Sequence, residues 1–400
     1  MLIKKKISVG IDIGSNMIKI IGIIRKKEKI SIEFINLIDL YHNKTTKISE
    51  DLKENQLVPL TSNINSAGLY HNKKMEKSKN LKDTQLVPLT SNINSADLYH
   101  NKKMENPEDS KDTQLVSLIR EITNGLKKFK VSKVNVSISS INAVVRIFEM
   151  PLIFGDDLKS AIKWKLNNAL PYAPQDIEFD YQILNKNEDN TSQEVLVGIV
   201  PSSEMKRILD IFSSVNLDPD LVDIDSLAVY HCFWSLYNNL KNKTVALFNI
   251  GAEKTSIIIV SPKQNPYFTS LNLGGNTITR DIMKNLHTSF LNAEHIKTGS
   301  YSHSNSQIDS SKKIETIDTK KYYNFLKYKL SLELKRSEIY YQTQYGEDQI
   351  EDIFITGGGA KSDNCWNPLK EDIIVNNTKN KNFDDIGPFF TTALGLALRD

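Results

Sequence analysis

The sequence predicts an α/β protein of two lobes, each a mixed sheet with helices. Three observations carry this. The chain of 400 residues exceeds the usual span of about 100–200 per domain. A strand–turn–strand pattern with glycine in the turn opens at Ile7 and restarts at Val245. Strand and helix periodicities alternate between and after those two openings.

Taken in order, Ile7–Ile13, Ile18–Ile24 and Ile30–Leu37 are β-rich runs broken at Gly14-Ser15-Asn16 and Lys26–Glu28, and read as a meander. Leu115, Leu118, Ile119, Ile122, Leu126 and Phe129 recur at helical spacing, with Asp112 or Thr113 as the cap. Val134–Ser140 and Val144–Glu149 read as strands. Asp156-Asp157 opens an amphipathic helix carrying Leu158, Ile162, Leu166 and Ala169, which Pro171 and Pro174 stop. Glu194–Val200 is a strand, and Ser202-Ser203 caps a helix with Met205, Ile208, Leu209 and Phe212 on one face. A strand near Leu221–Ile224 leads into a helix over Ser226–Leu240. The second opening gives strands Val245–Ile250 and Thr255–Val260 around Gly251-Ala252, then a third near Pro266–Leu273. Asn305–Lys313 reads as loop, Tyr322–Tyr345 as a long helix, Ile353–Thr356 as a short strand ending in glycines, and Pro388–Arg399 as a helix.

Hydrophobic residues make up 40% of the chain, enough for real cores. Lys and Arg number 51 against 48 Asp and Glu, a net charge of +3, so no nucleic-acid partner is expected. The two cysteines, Cys232 and Cys365, exclude a disulfide framework or Cys-rich zinc site and fit a reducing compartment. Asp12 and Lys19 interrupt the stretch nearest to a signal peptide, and no apolar run is long enough to span a bilayer. A soluble, cytoplasmic protein is expected.

Gln56–Glu76 recurs as Gln85–Glu105 with one change, Gly68 becoming Asp97. Solenoid units keep a core pattern and vary at the surface. These copies are nearly identical and rich in Asn, Lys and Ser, as expected of a tandem duplication in a tolerant loop, 39–111.

The first glycine turn is Gly10-Ile-Asp12-Ile-Gly14-Ser15-Asn16, with Lys19 in the following strand. Adjacent backbone N–H groups in such a turn can cradle phosphate oxygens, and Asp12 can hold Mg²⁺ through water. The second turn, Asn249-Ile-Gly251-Ala252-Glu253-Lys254-Thr255, matches it, and the third is Gly357-Gly358-Gly359-Ala360 after a short strand. One such turn is more often only a turn. Three, each at a strand end, favour a nucleotide held between two lobes.

The order of these motifs resembles the actin-like ATPase superfamily. Gly10–Asn16 is similar to its first phosphate loop, Asn249–Ala252 to its second and Gly357–Ala360 to its adenosine loop. Gly274-Gly275-Asn276-Thr277 followed by Thr279-Arg-Asp-Ile, and Ala293-Glu294-His-Ile-Lys297, resemble the FtsA-like branch. The resemblance implies that Gly275 lines the nucleotide and that Glu294 and Lys297 approach ribose and purine. Ala169-Leu-Pro-Tyr-Ala-Pro-Gln-Asp-Ile-Glu-Phe-Asp-Tyr-Gln-Ile-Leu184 narrows it further, to the PilM family of type IV pilus assembly proteins, and Leu221-Val-Asp-Ile-Asp225 and Thr392–Arg399 fit as well. The resemblance implies an actin-like two-lobed fold with duplicated mixed-sheet domains and an FtsA-type 1C subdomain. Subdomain 1A would comprise 1–38, 112–142, 194–242 and 384–400, subdomain 1C 143–193, and domain 2 243–383. It also implies an ATP-binding scaffold, with Mg²⁺ at Asp12, that grips the cytoplasmic N-terminal tail of a PilN-like membrane protein with 1A and 1C. Through that partner, and among other pilus assembly proteins, it would sit at the cytoplasmic face of the inner membrane.

One departure bears on chemistry. Asn249 stands where the family has Asp, and an amide keeps hydrogen bonding but loses the charge that attracts Mg²⁺. No catalytic residue is assigned, and a nucleotide binder with at most weak ATPase activity is expected. The alternative is a small-molecule phosphotransferase, which needs a carboxylate base that the sequence does not offer plainly. A filament former like FtsA would need a C-terminal amphipathic membrane helix, whereas the last helix reads as part of the fold. His42, His71 and His100 are copies of one loop residue, and His231, His287, His295 and His303 share no ligand spacing. Trp164 with Lys163 and Lys165 reads as a solvated helix face rather than a membrane patch. The apolar face of Asp157–Leu170 fits either core packing or a partner groove.

Overall fold

The computed structural model describes residues 6–26, 29–41, 44–47, 107–169, 176–186, 191–237, 242–298, 320–346, 349–360, 365–370, 373–375 and 386–399. The repeated segments from Gln56 to Glu105, Pro171 and Pro174, and the loop expected at Asn305–Lys313 lie outside them.

The first lobe opens with β1 (Ile7–Ile13), β2 (Met17–Lys26) and β3 (Lys29–Asp39), joined by the short turns the sequence marks. A short strand β4 (Lys44–Lys47) and helix α1 (Pro107–Leu126) precede β5 (Val131–Ile138). β5 lies parallel to β1, a pairing that needs a crossover, and α1 precedes it in that connection. Helices α3 (Ser202–Ser213) and α4 (Asp225–Leu236) flank the last parallel strand, β9 (Leu221–Ile224).

The second lobe repeats the plan with β10 (Val245–Ile250), β11 (Thr255–Val260) and β12 (Tyr267–Leu271). Helices α5 (Gly275–Leu286), α6 (Phe290–Thr298) and α7 (Lys320–Tyr345) then lead to β13 (Asp352–Thr356). In both sheets the opening strand pairs antiparallel with its hairpin partner and parallel with the strand that returns, β1 with β5 and β10 with β13. The strand orders β3-β2-β1-β5, which β9 extends in the first sheet, and β12-β11-β10-β13 are thus one topology built twice.

A smaller unit interrupts the first lobe. Strands β6 (Val144–Pro151), β7 (Ile177–Lys186) and β8 (Ser192–Pro201) form a sheet of order β6-β8-β7, crossed by α2 (Gly155–Ala169). Leu158, Ile162 and Leu166 of α2 are fully buried in one cluster with Val195, Val197 and Ile199 of β8. That settles one open choice: the apolar face of this helix is core. Trp164 projects from the other side, 69% exposed, and Lys165 reaches back to the Glu149 carbonyl at 2.6 Å.

Two helices hold the lobes together. The last helix, α8 (Thr391–Leu398), is buried at every residue, as an all-round apolar helix must be. It packs on β1, β2 and β5 and against α4, which in turn touches β10 and β11. A β-carbon on Gly395 would overlap the Ala228 carbonyl oxygen, so only glycine permits this helix approach. Its terminal carbonyls are met by side chains: Asn135 Nδ2 donates to Leu396 O at 2.8 Å, and His231 Nε2 lies 3.2 Å from Leu398 O. Arg399 Nε donates to buried Asp223 at 2.7 Å.

The boundaries differ from expectation at five places. The break expected at 193 cuts through β8, which pairs with both β6 and β7 and so belongs to the small sheet. The range 243–383 contains β14 (Ile373–Val375), which pairs parallel with β3 of the first sheet. The 39–111 range contains β4 and the start of α1, where Pro107 sits in a first turn that needs no N–H from it. Asp112, expected as a cap, instead accepts from Arg207 of α3 at 2.8 Å. The helix expected from Pro388 begins as a 3-10 turn over Gly387–Phe390 before α8.

Candidate functional site

A cleft of about 900 Å³, counting its open mouth, lies between the lobes. The three glycine turns meet in it, each at the end of a strand that begins or returns to its sheet. Asp12, Gly14, Ser15, Asn16 and Lys19 line it from the first lobe; Asn249, Gly251, Ala252, Gly275, Glu294, Lys297, Gly357, Gly358 and Gly359 line it from the second. Of the residues singled out in sequence, Ala360 alone is not on its wall; its N–H closes the third turn onto Gly357 O at 3.1 Å.

The backbone donors are not distributed as the motifs suggest. The Gly14 N–H is spent on Met17 O at 3.0 Å, and the Gly251 N–H on Lys254 O at 2.7 Å. The glycines make the turns; among the described residues, the N–H groups of Ser15, Asn16, Ala252 and Glu253, which follow them, take no turn or loop carbonyl, and these are the ones an anion could use. The third turn depends on glycine directly. Gly357 has φ +95°, and a β-carbon there would stand 2.6 Å from Asn249 Oδ1.

In the second lobe, Glu294, Lys297 and Thr279 form a closed triangle. Lys297 Nζ lies 2.7 Å from Glu294 and donates to Thr279 at 2.9 Å, while Thr279 donates to Glu294 at 2.6 Å. Burial lowers the Lys297 pKa, and Glu294 opposes that shift. Gly275 keeps the wall thin here: a β-carbon on it would lie 3.6 Å from both Gly359 Cα and Lys297 Nζ.

In the first lobe, buried Asp12 accepts from Ser137 at 2.8 Å on one oxygen and from Lys19 at 2.9 Å on the other. Deeper in, Lys254 of the second turn reaches across to the first lobe. It donates to Ser140, which donates to Asp225 at the start of α4 and lies 3.3 Å from Ser256 Oγ. Burial pushes the Lys254 ammonium down to about 8, with Asp225 pulling the other way. Burial likewise raises the Asp225 carboxyl; Lys254 and Ser140 oppose that, and Asp12 adds to it.

This donor set does not fit a divalent cation. Asp12 has both oxygens engaged, one of them by an ammonium; Asn249 is neutral; and a second ammonium, Lys254, enters the same cleft. Mg²⁺ wants uncompensated carboxylate and would face two positive charges here.

Sequence reasoning missed Asp225, Lys254, Ser140 and Asn276. Lys254 and Asn276 stand inside motifs that sequence reasoning had already marked, and Asp225 directly follows the strand Leu221–Ile224, so each had a local signal. Ser140 had none, because nothing local marks a serine whose partners lie 85 and 114 positions away.

The comparisons with known proteins bear on the fold and the family. No curated protein matches the sequence. Among solved structures, a PilM-PilN type IV pilus biogenesis complex is similar at TM-score 0.66 and 17% identity, over 98% of this chain and 98% of that one. The ethanolamine utilization protein EutJ of Carboxydothermus hydrogenoformans is similar at TM-score 0.42 and 12% identity, over 98% and 89%. The cytoplasmic domain of EpsL, from the type II secretion system of Vibrio cholerae, is similar at TM-score 0.34 and 8% identity, over 70% and 76%. The first of these, with the topology built twice around a cleft, makes the fold that of the actin-like ATPases. The family model described as type IV pilus assembly protein PilM matches residues 93–400, most of the chain, and the chain therefore belongs to the PilM family.

Proposed function

We propose that this chain is an ATP-binding, actin-like scaffold of type IV pilus assembly that grips the cytoplasmic N-terminal tail of a PilN-like membrane protein. One observation carries the nucleotide part: turns 235 or more residues apart in sequence, Gly14–Asn16 and Gly251–Glu253, face one cleft whose far wall is Gly275, Gly359 and the Glu294–Lys297 pair. Donors for phosphate and a flat, glycine-lined slot for a base are the two halves of a nucleotide site. The partner part rests on family membership and on the similar protein having been solved as a PilM-PilN complex. The small unit around α2, taken as 144–201, and the first-lobe sheet beside it are proposed to form the grip. Among the described residues no helix is long and apolar enough to cross a membrane, in keeping with recruitment to the inner membrane's cytoplasmic face through a partner.

The test has two arms. Purified chain is incubated with ATP, stripped of free nucleotide and denatured, and the released nucleotide is identified; intact ATP supports a nucleotide-locked scaffold. A labelled peptide of the N-terminal tail of a PilN-like protein is titrated against the full chain by anisotropy, and saturable binding is expected. A peptide that never binds sinks the scaffold reading.

A second reading, phosphoryl transfer, is favoured by Asp225. A carboxyl in the cleft with a raised pKa is the kind of group that accepts a proton from an attacking hydroxyl or water. It predicts ADP and released phosphate in the first arm.

A further inference from the structure

We propose that Lys254 is the built-in cation of this cleft, so that the chain binds the polyphosphate of a nucleotide as the free anion, without a divalent metal. This rests on the nucleotide reading and deepens it.

The argument is one of charge placement. Each carboxylate on the phosphate side already has a basic partner: Asp12 has Lys19 at 2.9 Å, Asp225 has Lys254 through Ser140, and Glu253 has Arg280 at 2.8 Å. Asn249 adds no negative charge. What remains for a ligand is positive or neutral, which suits phosphate and repels a divalent cation. Lys254 is only 5% exposed, yet it lines the cleft beside Ala252 and Glu253. Burying an ammonium is costly unless strong partners meet it. An ammonium has three donors, and Ser140 takes one of them. A phosphate group seated on the Ala252 and Glu253 N–H groups would take another, and would bring negative charge to the buried cation.

The position is also a bridge. Lys254 and Ser256 belong to the second lobe, Ser140 and Asp225 to the first, so a phosphate held by Lys254 is held at the junction. Metal-free binding would thereby still couple ligand to lobe closure.

The experiment uses the full chain and isothermal titration with ATP and with tripolyphosphate, each in excess EDTA and in excess Mg²⁺. The expected result is ATP affinity in EDTA equal to or tighter than in Mg²⁺, with tripolyphosphate also binding in EDTA. Lys254→Met should lose roughly tenfold or more in EDTA, the loss of a hydrogen bond to a charged group. The double variant Asn249→Asp, Lys254→Met exchanges the ammonium for a carboxylate and should bind ATP only with Mg²⁺; its binding in Mg²⁺ shows that the cleft is intact. Wild-type binding that requires Mg²⁺, or Lys254→Met binding in EDTA as well as wild type, overturns the proposal and leaves the nucleotide reading standing. A wild-type chain that binds neither ligand in either buffer overturns both.

Discussion

The side-chain amides of Asn16 and Asn276 hold each other across the cleft, Asn16 Nδ2 donating to Asn276 Oδ1 at 2.8 Å and Asn276 Nδ2 to Asn16 Oδ1 at 3.0 Å. Asn16 is in the first glycine turn and Asn276 in the first turn of α5, so the pair joins the lobes at the mouth. Asn276 Nδ2 also donates to Glu253 at 2.8 Å, and Arg280 braces Glu253 from outside at 2.8 Å. Beside them Tyr41 packs on Phe290 with ring centroids 5.0 Å apart. These contacts hold the two lobes together across the cleft.

Asn276→Ala should loosen that closure. Three polar contacts are lost, each worth about 0.5–1.5 kcal/mol net, and less where water replaces the partner. Hydrogen exchange of the Gly14–Met17 turn should speed up while that of buried β10 stays unchanged. Unchanged exchange in both would mean that the amide pair does not hold the mouth.

The buried lysine makes a pH prediction. Lys254 releases its proton near pH 8 in the folded chain and near its ordinary value of 10.5 when unfolded. Between those values the unfolded chain holds more protons, so this group's contribution to stability rises with pH; below about 8 both states are charged and its slope vanishes. Asp225 of α4, Asp12 of β1, Lys19 of β2 and Glu253 of the same turn face this region. Asp225, with a raised pKa, acts in the opposite sense. Urea midpoints taken at about pH 8 and about pH 10 should show wild type gaining on Lys254→Met. Parallel midpoints would mean that Lys254 does not titrate in this window.

Two neighbours on α2 should behave oppositely. Ile162→Ala empties a fully buried position between α2 and β8 and should cost about 2–5 kcal/mol. Trp164→Ala removes an exposed ring and should stay within about 0.5 kcal/mol. Chemical denaturation reads both. A large cost at Trp164 would reveal a contact that this exposure does not account for.

Asn135 is the anchor of the helix that joins the lobes. Asn135→Ala removes the side-chain donor to the Leu396 carbonyl, which keeps the Arg399 N–H at 3.1 Å, and should cost about 0.5–1.5 kcal/mol. The measurement is a thermal unfolding midpoint, and the fall should exceed that of an exposed control such as Asn124→Ala.

The family resemblance, the strand meander of each lobe and the three glycine turns were legible in the sequence because each is local. Five of the seven residues of Ile18–Ile24 are isoleucine, and Gly14-Ser-Asn16 is turn chemistry whatever lies around it. Helix α8 was legible as a helix, and its composition already implied burial. Boundaries were less legible. β8 looks the same in sequence whether it joins the large sheet or the small one, and only its pairing with β6 and β7 decides. The short β14 carries no sign that its partner is β3, far back in the chain.

The sequence by itself determined two lobes of one plan, membership of an actin-like pilus assembly family and the replacement of an expected Asp by Asn249. Tertiary structure alone decided which charges meet: Lys19 with Asp12, and Lys254 with Ser140 and Asp225 across the lobes. The physical reason is range. Backbone preference and apolar periodicity act over a few neighbours and are written in the local order of residues. Electrostatic pairing and desolvation depend on distance in space and on burial, which exist only once both lobes have closed on the same cleft.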